Sequence, residues 1–379
     1  MKILILSCNT GEGHNSAGRA VREALRARGA ECDMIDSLQF GFKGESFLIS
    51  NGHVWVYRHI PRAFGAVYRG LEKHKWGGDL VYRANTGKLG AAEKLRSFLK
   101  LRGYDAVVCV HVFPASEMTY LRSKYGPEFL QYFIPTDYTC SPGVGELDMD
   151  AFFTPHRFLS GDFVRAGVPA DRILPTGIPV SGKFLAPRDR ESARSALGLD
   201  PDLRSILLMG GSMGAGPMFD LAKAIGQKLP EDGELLVLCG RNERFREQLQ
   251  QLELPRVQAI GYSDQVERYM DASELLLTKA GGLSSTEALM KRLPLLFVNA
   301  IPGLEIRNQE FLMALDCADS AKGVKGLAAR ALELLGDPQS LEALRSAQEQ
   351  HFRLRAADDI AAAILRDGAG KAVGSEVQN

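Results

Sequence analysis

Short apolar runs alternate with amphipathic segments along most of the chain. The runs that predict strands are KILILS, ECDMID, DAVVCVH, LQYFIP, AFFTP, SILLMG, ELLVLCG, VQAIG, ELLLTK and PLLFVN. Helical patterns lie between most of them, for example SAGRAVREALRARG and MFDLAKAIGQKL. Strands that alternate with helices in this way are typical of parallel sheets covered by helices, so the pattern predicts the α/β class.

A strand, a Gly-rich turn and a helix follow one another twice. The first unit is KILILSCNTGEGHNSAG and the second is SILLMGGSMGAGPMFDLAKAI. One doubly wound sheet rarely restarts, so we predict two Rossmann-like domains facing a central cleft, 1–180 and 181–354. We expect helix 355–368 to pack back on the first domain and 369–379 to be a disordered tail. Both Gly-rich turns should line the cleft, because ligands bind at the carboxyl ends of parallel strands.

Composition excludes several classes of protein. The 379 residues carry a formal net charge of zero, which argues against a general nucleic-acid binder. The apolar runs are shorter than the roughly 18 residues of a membrane span, and Ile3 to Leu6 is too short for a signal peptide. The six cysteines form no CxxC pair, so we expect buried thiols in a reducing compartment and no zinc site.

The first Gly-rich loop holds a histidine. Gly11 and Gly13 allow a tight turn, but Ser16 stands where a dinucleotide fingerprint needs glycine. Asp36 imitates the ribose-binding acid of that fingerprint, and a dehydrogenase remains the weaker interpretation. His14 lies at the start of the helix, where the helix dipole should lower its pKa. We predict a general base, the alternative being a histidine that only binds loop backbone.

Two later segments have the character of a phosphate and sugar site. GGSMGAGP precedes a helix with free amides, which favours anion binding over an empty turn. In LLLTKAGGLSSTEALM a strand should end at Lys279 and a helix begin at Ser284 or Ser285, either of which caps it or binds phosphate. Glu287, expected in the first turn, complements the dipole or accepts bonds from ribose hydroxyls. The segment AIPGLEIRNQEF predicts a loop whose Glu305 and Asn308 would bind sugar hydroxyls.

These motifs carry a family resemblance over about residues 1–311. GEGHNSAGRAV, PTDYTCSP, FFTPHRFLSGDFVRAGVPADRILPTGIPV and AGGLSSTE together resemble the monogalactosyldiacylglycerol synthase and processive diacylglycerol glucosyltransferase family. The C-terminal half looks like the nucleotide-sugar domain of GT-B glycosyltransferases. The resemblance implies inverting transfer of a hexose from a UDP-sugar to a diacylglycerol-type lipid, without a bound metal or cofactor.

The resemblance also implies roles for individual residues. His14 matches the family's base. Asp137 in PTDYTCSP has two interpretations: it orients the base or the sugar, or it only forms part of a structural turn. Glu287 matches the ribose-binding glutamate. The residues expected to bind the donor are Gly211, Ser212, Met213, Gly214, Gly261, Tyr262, Lys279, Gly281, Gly282, Leu283, Ser284, Ser285, Glu287, Glu305 and Asn308.

This chain departs from the family pattern at three positions. Ala280 replaces a usual proline, Leu304 replaces a common glutamine and Ser212 replaces a usual glycine. The change at Leu304 removes an amide that would face the donor sugar. Asp148-Met149-Asp150 imitates a metal-binding DxD motif, but it precedes a strand of the first domain, so we interpret it as two exposed carboxylates.

A basic, aromatic segment at 54–76 fits a lipid acceptor. Its apolar positions recur at helical spacing, its basic positions follow another face and aromatic residues flank it. The residues expected to contact acceptor or membrane are Trp55, Tyr57, Arg62, Phe64, Val67, Tyr68, Arg69, Leu71 and Lys73. The pattern favours a helix that binds a membrane surface over a helix that only packs on the first domain. We therefore predict a cytoplasmic enzyme that is peripheral on the anionic inner face of a membrane.

Three other functions remain open from the sequence. One is a UDP-sugar transferase with another acceptor, such as a polyprenyl-linked saccharide. A second is a UDP-sugar epimerase of the same fold, which would not need the 54–76 segment. The third is a nucleotide-sugar-binding regulator without catalysis, which the departures at Ala280 and Leu304 allow and the presence of His14 opposes.

Overall fold

The computed structural model describes residues 1–8, 12–41, 89–210, 217–298, 303–352 and 355–376. Two parallel sheets of six strands each account for the strands in these ranges. The strands are β1 (Lys2–Ser7), β2 (Glu31–Asp36), β3 (Ala106–Cys109), β4 (Leu130–Phe133), β5 (Ala151–Phe153), β6 (Ile173–Leu174), β7 (Arg204–Met209), β8 (Gly233–Leu238), β9 (Val257–Ile260), β10 (Leu275–Thr278), β11 (Leu295–Phe297) and β12 (Ala318–Ser320).

Helices follow most of these strands, as the alternation predicts. They are α1 (Glu12–Ala27), α2 (Leu89–Arg102), α3 (Val112–Tyr125), α4 (Ser160–Ala166), α5 (Arg190–Leu197), α6 (Met218–Gly226), α7 (Glu243–Gln250), α8 (Val266–Asp271), α9 (Gly282–Met290), α10 (Leu304–Ala314), α11 (Gly323–Gly336), α12 (Pro338–His351) and α13 (Ala356–Glu376). The α/β class is confirmed. All ten predicted strands are present, and the pattern missed β6 and β12, which have only two and three residues.

The chain divides into two compact units. The first comprises Met1–Ser181, Pro302–Leu304 and Arg355–Asn379. Its strand order is β2-β1-β3-β4-β5-β6. Its core joins the first strand to the last helix, because Ile3 and Ile5 share one buried cluster with Ile360 and Ile364.

The last helix is longer than the sequence pattern predicts. We expected a helix to 368 and a disordered tail, whereas α13 continues to Glu376. The extension carries no proline, so each of its backbone amides is able to donate within the helix. An ion pair from Arg28 to Asp358 (2.6 Å) and a hydrogen bond from Tyr132 to Asp367 (3.2 Å) attach α13 to the first unit.

The second unit comprises Gly182–Ile301 and Glu305–Leu354, with strand order β12-β11-β10-β7-β8-β9. Part of the stretch 175–203, whose composition is typical of a linker, folds here as α5. Arg194 of α5 is 1% exposed and pairs with the equally buried Glu234 of β8 at 2.6 Å. A buried ion pair needs a fixed geometry, so this segment belongs to the domain core.

Candidate active site

The switch in strand order of the first sheet lies between β1 and β3. The chain proceeds from β1 to β2 on one side and continues from β3 on the other, so the loops after β1 and β3 flank the place where open α/β sheets bind ligands. The strand ends are level there. Val110 N donates to Leu6 O (3.1 Å), and Ile134 N donates to Cys109 O (2.9 Å).

His14 lies at this switch point in the first turn of α1, as the sequence predicts. Its Nδ1 is 3.0 Å from the carbonyl oxygen of Val110 and 2.9 Å from Oγ1 of Thr136, which follows β4. A carbonyl oxygen only accepts, so Nδ1 carries the proton of the neutral ring. The lone pair therefore resides on Nε2, at the far side of the ring.

Two opposing effects set the protonation of His14. Burial lowers its pKa, while the charge of Asp137 and the bond to Val110 raise it. The net pKa lies below the usual value, so the ring is neutral at neutral pH. Asp137 acts here through its charge on the imidazole. Its backbone also forms a turn, since Thr139 N donates to Asp137 O at 2.8 Å, and the next side chain, Tyr138, is buried.

A second imidazole, which the sequence reasoning missed, lies beside His14. The ring of His111 is 4.7 Å from that of His14, with the two planes at 84°. His111 is the N-cap residue of α3, and its Nδ1 accepts a hydrogen bond from Phe113 N at 3.1 Å. The available signal was its place directly after a buried strand, the same kind of position that drew attention to His14.

The switch in the second sheet lies between β7 and β10. The loop after β7 holds Gly211, Ser212, Met213 and Gly214, which lie outside the described residues. The role of this loop in binding diphosphate stays a prediction. The other side of the switch, after β10, is described in full through Val298.

Lys279, after β10, lies against the start of α10. Its Nζ is 2.6 Å from Oε1 of Glu305, which is 9% exposed. Asn308 is fully buried, and its Nδ2 donates to Ala280 O at 2.9 Å. The predicted loop is a helix from Leu304 onward, because IRNQEF contains neither glycine nor proline to stop it. The structure thus brings the predicted sugar-contacting residues to the turn after β10.

The helix after that turn begins earlier than predicted. Gly281 occupies the N-cap position of α9 and makes no side-chain cap, so the expectation that Ser284 or Ser285 caps the helix is wrong. The first backbone amides of α9, including those of Gly282 and Leu283, have no carbonyl acceptor within the helix, so they are suited to binding an anion. Ser285 is fully buried and its Oγ has no partner among the described residues, whereas Ser284 is half-buried. Ser284 is therefore the more accessible of the two, and the binding of phosphate by either serine stays a prediction.

Glu287 lies in the second turn of α9, because the helix starts at Gly282 and not at a serine. The expectation of a first-turn carboxylate is wrong, and so is the dipole role. Burial raises the pKa of Glu287 to about 8; the charge of Lys183 opposes this and that of Glu267 adds to it. Lys183 pairs with Glu267 at 2.7 Å and donates to Asp264 O at 2.8 Å. The sequence pattern did not predict that Lys183 and Glu267 lie near Glu287.

Gly261 and Tyr262 follow β9 at the same edge of the second sheet, with β7 and β8 between β9 and β10. The side chain of Tyr262 is 64% exposed, and the guanidinium of Arg241 lies 5.1 Å from its ring centroid. An exposed aromatic ring with a cation beside it is suited to stacking on a planar base. Their part in donor binding stays a prediction.

The residues predicted for acceptor and membrane contact, with the whole segment 54–76, lie outside the described residues. Within the described ranges, no helix is long and apolar enough to cross a bilayer. The DxD-like pair is engaged by arginines: Asp148 pairs with Arg172 at 2.7 Å and Asp150 with Arg122 at 2.6 Å. The described part of the chain contains no group of three metal-binding side chains.

The prediction that the cysteines are buried is confirmed for five of the six. All six are free thiols. Five of them, Cys8, Cys32, Cys109, Cys239 and Cys317, are buried, and Cys140 is half-buried. Burial raises the pKa of several of these thiols, including Cys317 to about 12, so they behave as small apolar side chains.

Comparisons with known proteins agree with this architecture. Residues 14–180 match the model of the monogalactosyldiacylglycerol synthase family, and residues 205–360 match the glycosyltransferase family 28 C-terminal domain. The "Probable monogalactosyldiacylglycerol synthase, chloroplastic" of Glycine max is 27% identical over 384 residues, covering 95% of this chain and 69% of that relative.

Two solved structures share the fold at low identity. Acinetobacter baumannii MurG is 15% identical with a TM-score of 0.63, covering 96% of this chain and 99% of that one. The S. aureus MnaA-UDP co-structure is 14% identical with a TM-score of 0.63, covering 95% of each chain. Two Rossmann-like units are the architecture of the GT-B fold. The matches to the monogalactosyldiacylglycerol synthase model and to the glycosyltransferase family 28 C-terminal domain indicate a glycosyltransferase. The chain is similar to monogalactosyldiacylglycerol synthases over nearly its whole length, and the model of that family matches its residues 14–180.

Proposed function

We propose that this protein transfers a hexose from a UDP-sugar to the hydroxyl of a diacylglycerol-type lipid, with inversion at the anomeric carbon and His14 as the general base. The observation that carries the proposal is the bond from His14 Nδ1 to Val110 O (3.0 Å). It leaves Nε2 unprotonated, and an unprotonated ring nitrogen is what a general base requires. The similarity to monogalactosyldiacylglycerol synthases supports the type of donor and acceptor.

In the proposed step the acceptor oxygen attacks the anomeric carbon from the face opposite UDP. His14 Nε2 takes the hydroxyl proton, the bond from the sugar to UDP breaks, and UDP departs with the electron pair. The imidazolium that forms keeps its Nδ1 bond to Val110 and is stabilised by the charge of Asp137. Burial and Asp137 therefore act at different stages: burial keeps the free base neutral, and Asp137 stabilises the protonated product.

We assign donor binding to the second sheet. Lys279 and the first amides of α9 would compensate the charge of the departing diphosphate, together with the loop after β7. Glu287 would accept bonds from ribose, while Glu305 and Asn308 would hold the sugar. The described residues offer positive charge and amides for this task, so we expect activity to persist in EDTA.

We assign membrane contact to the segment 54–76 on its sequence alone. Its alternation of apolar, aromatic and basic residues is typical of a helix in the interface of an anionic membrane. A lipid acceptor requires such contact, because diacylglycerol stays in the bilayer.

The proposal is tested by offering the protein UDP-glucose or UDP-galactose with diacylglycerol vesicles and analysing the lipids by mass spectrometry. A hexosyl-diacylglycerol with inverted configuration is the expected product. The same donors without lipid form the control: conversion of one UDP-sugar into another would show an epimerase. Binding of UDP-sugar without any turnover would show a regulator, and transfer only to a polyprenyl-linked acceptor would change the substrate class.

A further inference from the structure

The neighbour of His14, His111, is fixed by contacts of its own. Its Nδ1 accepts from Phe113 N at 3.1 Å, and its ring packs against Phe113 at 4.5 Å with the planes at 67°. An Nδ1 that accepts a hydrogen bond carries no proton, so the proton of the neutral His111 ring resides on Nε2. The cap and the phenyl ring together hold this imidazole in one orientation.

The two histidines hold their protons on opposite nitrogens. His14 carries its proton on Nδ1 because it faces Val110 O, whereas His111 carries its proton on Nε2 because its Nδ1 caps α3. Val110 and His111 are consecutive residues after β3. The same short segment therefore supplies both the carbonyl that selects the tautomer of His14 and the ring that lies edge-to-face against it at 4.7 Å.

A neutral imidazole can rotate by half a turn about its Cβ–Cγ bond, which exchanges the positions of Nδ1 and Cδ2 and those of Nε2 and Cε1. In the rotated state Nδ1 no longer faces Val110 O, so the carbonyl no longer favours a proton on Nδ1. Half a turn changes which atoms of the His14 ring lie nearest to His111, so an edge-to-face contact with a ring that cannot itself move favours one orientation over the other. This restraint is independent of the carbonyl, because a different group supplies it.

We propose that His111 is a positioning residue for His14, holding its imidazole in the orientation in which Nδ1 donates to Val110 O and Nε2 bears the lone pair. The inference rests on the proposed function only in naming His14 as the base. The other groups that act on Nδ1 or on the charge of His14 are Val110 after β3 and Thr136 and Asp137 after β4. His111 differs from them because it acts through the ring contact.

The structure provides a matched control. His156 follows β5, and its Nδ1 accepts from Phe158 N at 3.2 Å while its ring packs against Phe158 at 4.9 Å. It thus repeats the cap and the phenyl contact of His111 at a different strand end. Asparagine is a good N-cap residue, so His111→Asn and His156→Asn keep each cap and remove each ring. His111→Phe keeps a ring and removes the cap.

The test is a ¹⁵N-histidine NMR titration, which needs no substrate. The chain has 7 histidines, and His14→Gln assigns the signal of His14. In the wild type and in His156→Asn we expect a neutral ring protonated on Nδ1. In His111→Asn we expect a mixture of the two tautomers and a titration midpoint at higher pH, because the ring becomes more hydrated. His111→Phe should retain the wild-type tautomer.

Unchanged tautomer and midpoint in His111→Asn would overturn the proposal. So would an equal loss of the tautomer in His111→Phe, because the cap alone would then orient His14. If the lipid assay succeeds, kcat of His111→Asn should fall about tenfold, with its acid limb moved to higher pH and KM for the donor unchanged. If the lipid assay fails, the titration still decides the positioning role, so the two failures are distinguishable.

Discussion

The Nδ1 atom of His14 and the backbone oxygen of Val110 lie 3.0 Å apart, although 96 positions separate them in the chain. The parallel pairing of β1 with β3 creates this contact, since Leu6 is level with Cys109 and the two loops continue from there. A backbone carbonyl cannot be removed by a side-chain substitution. The acceptor that favours this tautomer of the proposed base is therefore supplied by the sheet itself.

The first prediction concerns His14. His14→Ala should lower kcat by about 10² or more, the usual contribution of a general base. Its affinity for UDP should stay near the wild-type value, because the candidate donor residues belong to the second sheet. Turnover with vesicles and calorimetry with UDP measure the two quantities.

Glu12→Gln is the control for this variant. Glu12 lies in the same turn of α1 and forms an exposed pair with Arg19 at 3.3 Å. We expect it to keep its turnover. Full activity in His14→Ala would refute the assignment of the base.

The second prediction concerns proton release from Glu287 on donor binding. Its pKa of about 8 means that the free protein holds this carboxyl protonated at pH 7. If ribose hydroxyls donate to the ionised carboxylate, binding of a UDP-sugar must release that proton. Affinity should then rise as pH increases and level off above the pKa. Between pH 6.5 and 8 the gain should be roughly tenfold, because each pH unit below the pKa weakens binding by up to a factor of ten.

Calorimetry in buffers of different ionisation enthalpy would measure this release directly. At pH 7 the wild type should release close to one proton on binding UDP-glucose. Glu287→Gln should bind more weakly at pH 8, with little pH dependence and little release. A flat profile in the wild type would show that the protonated carboxyl binds equally well, or that Glu287 does not meet the ribose.

The third prediction concerns the stability of the second unit. Arg194 and Glu234 are both 1% exposed, and Glu234 also accepts a bond from Ser205 Oγ at 2.6 Å. Glu234→Gln leaves a buried guanidinium without its counter-charge, which typically costs about 3–5 kcal/mol of unfolding free energy. Urea unfolding followed by circular dichroism measures the loss.

A double substitution separates the charge from the packing. Arg194→Met with Glu234→Leu removes both charges, so we expect it to be less destabilised than Glu234→Gln. Glu349→Gln, which breaks the exposed pair with Arg292, should leave unfolding nearly unchanged. Equal effects of the buried and exposed substitutions would contradict the argument from burial.

The sequence predicted those features that depend on local pattern. Apolar runs predict ten of the twelve described strands because buried parallel strands are nearly all apolar, and His14 was identified because a Gly-rich turn precedes it. His111 was missed because its role comes from a partner 97 positions away, which no local pattern shows. The start of α9 was misplaced for a similar reason: serine is the common N-cap, yet Gly281 takes that position in the structure.

The fourth prediction concerns the segment 54–76 and follows from its sequence. Each basic residue near an anionic surface contributes about 1 kcal/mol, so replacing Arg62, Arg69 and Lys73 by serine should weaken vesicle binding by roughly two orders of magnitude. Replacing Phe64 and Leu71 by serine should weaken binding with less dependence on salt, because apolar burial is not screened. Sedimentation with phosphatidylglycerol vesicles at two salt concentrations measures both effects.

Thermal unfolding is the control for these variants. A helix that packs on the first domain would bury Phe64 and Leu71 in the protein. In that case their replacement would lower the melting temperature, while the basic variant would still sediment with vesicles. That combination would remove the sequence argument for a membrane surface.

The last prediction concerns how the sugar is distinguished from the nucleotide. Glu305 sits beside Lys279 at 2.6 Å, next to the buried contact of Asn308 with Ala280. If Glu305 accepts bonds from sugar hydroxyls, Glu305→Gln should weaken the binding of UDP-glucose or UDP-galactose by about tenfold, as expected for one bond to a charged group. The binding of UDP alone should be unaffected.

Glu310→Gln is the control. Glu310 is an exposed residue of the same helix that pairs with Arg307 at 3.0 Å, so its substitution should change neither affinity. Parallel calorimetric titrations with UDP and each UDP-sugar separate the two contributions. Equal weakening of UDP and UDP-sugar in Glu305→Gln would mean that the carboxylate serves to hold Lys279 toward the diphosphate, and the sugar contact would then have to come from another residue.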